Sequence, residues 1–402
     1  MSTPRYLRRS TSTSSSCCSS PSPTTGQQRK TVVVITGGSG ALGSQIARLV
    51  YSQWRDVQEI RLHDCIPPDA SLITSITGYT TSKDKPRVTY FPGDVLDGDS
   101  LTTAFVKADV VIHCAAVVEP GSVTARHKMK KVNVDGTQKV IHACLECGVR
   151  ALVFTGSLTQ VLSLPKHRKV VRYEEDNDAP REMKELMFPY YGGSKNKAEN
   201  LVLLANGQEG KDGNKLYTCS LRLPVMFGEK DSLFIATGLW AAKHCCGYLV
   251  PMGLMARSGT TMQSLYVGNG AWAHVVAAQK LLDSERQTEI GGKYYYIGDH
   301  SPICSMANFQ AQFLNPLGYR VSPVGVPLFL AMVIAYLIEF FLLLLSFLGV
   351  NARVPLTRSS VRFAKLSHSY SWERAKNELQ YEPLYSHKTA LAKSMEYYRR
   401  VL

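Results

Sequence analysis

From Thr31 onward the apolar positions fall into short β-rich runs separated by longer stretches of helical spacing. The runs are TVVVIT, EIRLHD, RVTYF, DVVIHCA and RALVFTGS, with a helix expected through Val50 after the first and another through Cys147 before the last. Runs without a polar face suit strands covered on both sides, and strands that alternate with helices pair in parallel. The pattern therefore predicts an α/β fold, a doubly wound, Rossmann-like parallel sheet within residues 30–221. After Arg222 the regularity weakens. Residues 222–325, together with 351–402, are expected to form a smaller substrate-binding region over the strand ends.

Residues 326–350 break the pattern again, with PLFLAMVIAYLIEFFLLLLSFLG interrupted by Glu339 as its one charged residue. As a helix this segment would extend about 38 Å, long enough to cross a bilayer. A helix apolar on every face is seldom the core of a soluble protein, so a membrane-embedded segment is expected. Arg353, Arg358, Arg362 and Lys365 follow it closely, whereas Arg320 alone precedes it closely. That asymmetry keeps the C-terminus cytosolic. The N-terminal part, with no apolar leader before it, is expected on the same side, which favours an embedded helix or hairpin over a single crossing.

Composition narrows the functional classes. The net charge of +14 invites a nucleic-acid reading. Its distribution argues against one: residues 1–30 hold five basic residues and no acid, and 351–402 hold ten Lys/Arg against four Glu. With no zinc finger, aromatic RNA-binding signature or groove-reading basic helix, nucleic acid is not the expected partner, and a basic margin beside an apolar segment suits membrane lipid. The Ser/Thr/Arg-rich residues 1–29 read as a disordered tail, with a transit peptide as the other reading and Cys17 and Cys18 as acylation candidates. Ten cysteines without framework spacing indicate a reducing compartment. Cys144 and Cys147 lie in an apolar-periodic helix with no second pair, so buried or half-buried thiols are expected and no metal.

The chemistry-bearing residues come in a fixed order. TGGSGALG follows the first strand and supplies Gly37, Gly40 and Gly43 before a helix, a turn that brings helix N–H groups against a pyrophosphate. Asp64 ends the second strand, where its carboxylate would accept hydrogen bonds from ribose hydroxyls and repel a 2′-phosphate. NAD is therefore expected over NADP, with Arg61 able to soften the preference. Asp94 is an adenine-contact candidate and equally a loop-capping residue. Tyr191 and Lys195 lie four residues apart, on one helix face. Lys195 would stabilise a phenolate, and Tyr191 would then take the alcohol proton as hydride leaves. Ser157 would orient the substrate oxygen, and Asn133 would support the strand end or a relay water. As isolated residues, Ser157 reads equally as a helix cap and Asn133 as a structural amide. The ordered set of glycine turn, acidic strand end, Ser and Y-x-x-x-K is what carries the assignment.

These residues resemble the extended short-chain dehydrogenase/reductases, and within them the 3β-hydroxysteroid dehydrogenase/Δ5-Δ4 isomerase family. DVVIHCAAVVE, VNVDGTQKVIHACLECGVRALVFTGS, SLYVGNGAWAHVVAAQKLL, GKYYYIGD and NELQYEPLYS carry the likeness. LVLLANGQEGKDG and TCSLR look most like the type 7 branch, which acts on 7α-hydroxylated sterols of bile acid synthesis. The resemblance implies an NAD-dependent enzyme of the endoplasmic reticulum membrane, with the mitochondrial membrane as the alternative. It would oxidise a 3β-hydroxy-Δ5-steroid or sterol and then isomerise the double bond, with Tyr191, Lys195 and Ser157 at the catalytic positions. Three departures stand out. Gly156 to Gln160 replace the family's S-S-x-E, Arg222-Leu223-Pro224 shifts a proline, and a charged stretch from Lys166 to Glu185 is set to reshape the site mouth. A decarboxylating 4-carboxysterol dehydrogenase and a non-catalytic NAD-binding membrane protein are the alternatives, and a homodimer fits the sequence as well as a monomer.

Overall fold

The computed structural model describes residues 30–401 except 79–84, 123, 164–170, 176–181, 253–259, 350–353 and 355. The tail expected over 1–29, with Cys17 and Cys18, lies outside these, as does part of the charged stretch from Lys166 to Glu185. Thr31–Leu402 makes one compact unit.

β-Branched residues fill the first strand, β1 (Thr31–Thr36), and both of its faces are buried. Val32 and Val34 point into one apolar cluster, Val33 and Ile35 into the other. Six further strands join it: β2 (Val57–Asp64), β3 (Arg87–Pro92), β4 (Val110–His113), β5 (Ala151–Ser157), β6 (Tyr217–Leu223) and β7 (Lys293–Tyr296). Their order is β7-β6-β5-β4-β1-β2-β3, every pairing parallel. Helices α1 (Ala41–Gln53), α2 (Gly98–Phe105), α3 (Gly136–Glu146), α4 (Pro189–Leu204) and α5 (Val267–Leu282) cover the sheet. α1 and α5 lie on the Val33 face, and α2, α3 and α4 on the Val32 face. This is the doubly wound arrangement expected. The chain reverses direction across the sheet between β1 and β4, which opens a crevice beyond the strand ends there. One strand comes from outside the segment expected to hold the sheet: β7 lies in 222–325, where its short KYYY run follows a weakly patterned stretch.

Cys144 is buried and Cys147 half-buried, as the helical pattern suggested. α3 ends at Glu146, one residue before the expected limit, and Gly148 turns the chain at φ +66°.

α4 is fixed to the sheet by a buried ion pair. Glu199 accepts from Arg222 Nη2 at 2.6 Å and Nε at 3.1 Å, and from Ser220 Oγ at 2.6 Å. Tyr294 of β7 stacks on the guanidinium at 3.5 Å, and Arg222 Nη1 donates to Tyr296 Oη at 3.2 Å. A charge this deep is tolerated because its donors are satisfied on several sides.

The apolar segment forms α6 (Leu328–Phe347), which starts two residues after and ends three residues before the bounds of the 326–350 expected. Its mean hydropathy is 2.7, and three residues four apart are buried: Ala331, Ala335 and Glu339. The opposite face exposes Phe329, Tyr336, Phe340, Phe341 and Phe347. Both flanks return to the same body. Val326 N donates to Pro251 O at 3.0 Å before the helix. After it, Arg358 opens the short helix α7 (Arg358–Phe363) and donates from its backbone N and its Nε to Glu339 at 2.7 and 2.6 Å.

Replacing Glu199 by Ala strands the Arg222 charge inside the protein. Urea unfolding should show a loss of about 3 kcal/mol or more; a loss near zero would mean that the pair does not hold α4.

Candidate active site

The turn after β1 is shaped by close backbone approach. Gly37 sits at φ +70°, and a Cβ there would meet Ala115 N at 2.8 Å. A Cβ on Gly43 would stand 2.2 Å from Gly37 O, so the first turn of α1 closes on the loop only with glycine at both places. α1 starts from Gly40 with no side chain capping its first N–H groups and no acid in its first turn. Ser39 Oγ is buried without a partner among the described residues. Free N–H groups, a positive helix end and an unused hydroxyl make a cradle that fits a pyrophosphate.

Asp64 closes the neighbouring corner. Its carboxylate accepts from Ser39 N and Ile66 N, each at 3.0 Å, and keeps further lone pairs for ribose hydroxyls. Arg61, considered as a partner for a 2′-phosphate, is turned elsewhere. Its Nε and Nη2 donate to Glu59, and its Nη1 to the carbonyls of Ala104 and Val106. Asp94 caps its own loop by accepting from Leu96 N at 3.0 Å. Across the cavity Lys230 Nζ donates to Ser39 O at 3.0 Å, a contact between distant segments that no local pattern encodes.

Tyr191 and Lys195 share the inner face of α4 and are both buried. Burial pushes the Tyr191 phenol up to about 12, against a downward pull from its hydrogen bond with the Ser157 hydroxyl. The Lys195 ammonium is pushed down to about 8 by burial, opposed by Cys114 and Glu199. It rests on the face of Phe154 at 4.5 Å. Neighbouring His113 and His274 are held neutral by burial, at about 3 and about 4. With both imidazoles neutral, Lys195 is the cation of this part of α4. His274 Nε2 lies 2.9 Å from Thr155 Oγ1, which also reaches Cys114 Sγ at 3.2 Å, a second layer behind the lysine that the sequence reading missed.

Ser157 is a cap, as one of its readings had it, and it also reaches the phenol. It ends β5 with its hydroxyl at the phenol and caps the turn Leu158–Gln160, accepting from Thr159 N at 3.3 Å. Gln160 answers by accepting from Ser157 N at 2.6 Å. The S-x-x-Q spacing is a capping box and could have been read from the sequence. Asn133 sits in a π-helical turn, Lys131–Asp135, and clamps the loop after β4 by accepting from Val117 N at 2.8 Å and donating to Val117 O at 3.1 Å. Its amide also donates to Ser194 Oγ at 3.0 Å, between Tyr191 and Lys195 on α4. These are the bonds of a buried structural amide.

Tyr191, Lys195 and Ser157 line one cavity of about 2040 Å³ with Gly37, Gly40 and Gly43. That is roughly twice the upper end of a usual single-ligand pocket of about 1,000 Å³, so there is space for a dinucleotide and a second molecule. Away from the glycines the walls are mostly apolar, including Phe188, Leu223, Met252, Leu342, Leu356 and Phe363, with charged residues such as Glu119, Glu229, Lys230 and Asp231 among them. Asp64 and Asp94 are not part of the wall, and Arg222 faces Glu199 instead. Pro224, the displaced proline, does line it, between β6 and the strand Val225–Phe227. Within the charged stretch, Val171–Tyr173 pairs with His368–Tyr370 at the cavity's C-terminal wall.

Lys195 sets a pH test. Its pKa is about 8 folded against an ordinary 10.5, so the folded protein disfavours the bound proton. The penalty is complete below about 8 and vanishes as pH rises past 10.5. Lys195→Met should stabilise the protein at neutral pH by on the order of 3 kcal/mol. The gain should shrink through that window in urea titrations; a pH-independent difference would contradict it.

Several solved structures share the fold. A UDP-glucose 4-epimerase from Stenotrophomonas maltophila, with bound NAD and formylated UDP-arabinopyranose, aligns at TM-score 0.66 and 19% identity over 92% of this chain and 98% of its own. MoeE5 in complex with UDP-glucose and NAD gives 0.62 and 21% over 92% and 99%. The dTDP-glucose 4,6-dehydratase DesIV of Streptomyces venezuelae, a double mutant with NAD and DAU bound, gives 0.63 and 17% over 91% and 96%. A family model matches residues 34–328, from within β1 to the start of α6. The chain belongs to the 3-beta hydroxysteroid dehydrogenase/isomerase family.

Proposed function

We propose that the protein is an NAD-dependent oxidoreductase that oxidises the 3β-hydroxyl of a Δ5-steroid or sterol. The observation that carries this reading is a single cavity with the glycine cradle at one end, Tyr191, Lys195 and Ser157 in its wall, and apolar walls beyond. NAD, when bound, supplies the hydride acceptor and a positive ring beside the phenol. The three solved neighbours that hold NAD support this choice of cofactor, as does the position of Asp64 without a free arginine beside it.

The chain's own residues then divide the work. Ser157 donates to the substrate oxygen and orients its C–H bond towards the cofactor. Tyr191 accepts the hydroxyl proton as the C–H bond gives up its hydride. The Lys195 ammonium stabilises the phenolate form that must exist before transfer, and holds the nicotinamide ribose. Phe154 beneath the ammonium and Asn133 behind Ser194 keep α4 in register for this step. The apolar walls exclude water and suit a rigid ring system with its polar contact at one end.

The finer assignment extends the same reading. Isomerisation of the double bond after oxidation, and a sterol of the type 7 branch as substrate, follow from the family and the sequence blocks. Residues 30–221 supply the cofactor half, 222–325 with 351–402 the substrate half, and 326–350 the membrane segment. The endoplasmic reticulum, with the catalytic body cytosolic, is the proposed location.

Tyr191→Phe should lower turnover by roughly 10²- to 10⁴-fold while the variant still quenches NADH fluorescence on binding. Wild-type-like turnover would remove the phenol from the mechanism. Asp64→Ala should weaken NAD binding by about tenfold, the worth of one charge-assisted hydrogen-bond set, and narrow the gap to NADP. Unchanged discrimination in a competition titration would shift cofactor choice elsewhere.

A further inference from the structure

α6 is more than an apolar anchor, because it also walls the catalytic cavity. Leu328, Glu339 and Leu342 of α6 line that cavity, facing Leu356, Ser360 and Phe363 around α7. The cavity wall also includes large apolar residues that are exposed to the outside: Leu233, Trp240, Val250 and Val354. A mouth edged this way is costly in water, and it adjoins the outer face of α6, where Phe329, Tyr336, Phe340, Phe341 and Phe347 are uncovered.

Two features decide what covers this surface. The first is the pin at Glu339. The carboxylate lies in the middle of α6 and holds the first turn of α7 through Arg358, beside Thr357 and Ser360. A helix crossing a bilayer would carry this charged, polar cluster to the hydrocarbon midplane, where it is most costly. A helix lying along the surface keeps it at the body. The second is charge. Arg362 and Lys365 at the end of α7 and Arg320 before α6 are exposed, and Lys365 and the exposed Trp240 of the helix Ile235–His244 belong to the cavity's lining. Aromatic and basic residues around an apolar face match the headgroup boundary of an anionic phospholipid leaflet.

We propose that α6 and the apolar mouth enter one leaflet of an anionic phospholipid membrane together, and that the wall between α6 and α7 is a lateral portal. A lipid-dissolved substrate passes through it into the catalytic cavity without leaving the membrane. The substrate class rests on the function proposed above; the portal itself rests on the cavity's lining. Glu339 and Arg358 act as positioning residues that hold the portal's two sides together.

The test uses the full chain and vesicles of phosphatidylcholine and phosphatidylserine carrying a diazirine-bearing sterol. Photolysis followed by peptide mapping should place the label on peptides containing Leu342 and Leu356. Leu342→Trp, which fills the portal, should reduce that labelling by about tenfold, the effect of overpacking a well-fitted contact. Vesicle flotation and NADH binding should be unchanged, which reports that the variant is folded. Flotation with labels that avoid α6 and α7 would overturn the portal. Failure to float, with self-association through α6, would overturn the whole proposal in favour of a second copy of this chain. Correct labelling without turnover of any sterol would support the portal and defeat the proposed reaction instead.

Discussion

The rest of the molecule depends on one constraint: all seven strands run parallel, so all of their C-terminal ends fall along one edge of the sheet. The glycine turn after β1, Asp64 at the end of β2, the loop after β4 and Ser157 at the end of β5 are distant in sequence and neighbours at that edge. A parallel sheet also forces each return to the other edge through a helix, which is why α1 and α4 are present to bring a positive end and the Tyr191–Lys195 face to the cavity. The crevice between β1 and β4 exists because successive crossovers depart in opposite directions from that point. The site is thus a product of topology before any single side chain contributes.

Energetically the edge is held by charges that a soluble protein of this size would normally keep outside. Lys195 stays buried against Phe154, one turn of α4 from Tyr191, with no carboxylate hydrogen-bonded to it among the described residues. Glu199, one helical turn further along α4, is already saturated by Arg222 and Ser220. The two buried cations therefore have separate duties. One is paired to hold α4 down, and the other keeps its ammonium on the face of Phe154 with only a through-space pull from Glu199.

Much of this was legible in the sequence because it is written at short range. The glycine turn, the acid ending β2 and the four-residue spacing of Tyr191 and Lys195 each encode their geometry within one or two elements. Ser157 was found for its chemistry, while the capping box with Gln160 was overlooked although its spacing is local. What was not legible joins distant segments. Arg222 meets Glu199 and two tyrosines of β7, Lys230 reaches Ser39, and Thr155 meets His274; each pair is set by strand order, which periodicity does not specify. β7 escaped because a four-residue aromatic strand inside a weakly patterned region carries no period long enough to recognise. The apolar helix was plain, but the sequence showed Glu339 only as an interruption, because its partner Arg358 lies on α7 and the stripe with Ala331 and Ala335 is set by packing.

The sandwiching of Arg222 by Tyr294 and Tyr296 sets an order of events during synthesis. The edge strand that completes the sheet is made about seventy residues after Arg222, and α6 about thirty residues after that strand. While the chain is still growing, β1 to β6 can assemble, yet α4 remains seated on an incompletely covered ion pair. Closure of the sheet comes next, and the most water-averse helix follows it from the ribosome. Closure of the sheet over the ion pair can thus take place in the aqueous phase before α6, the one helix among the described residues long and apolar enough to cross a membrane, has emerged.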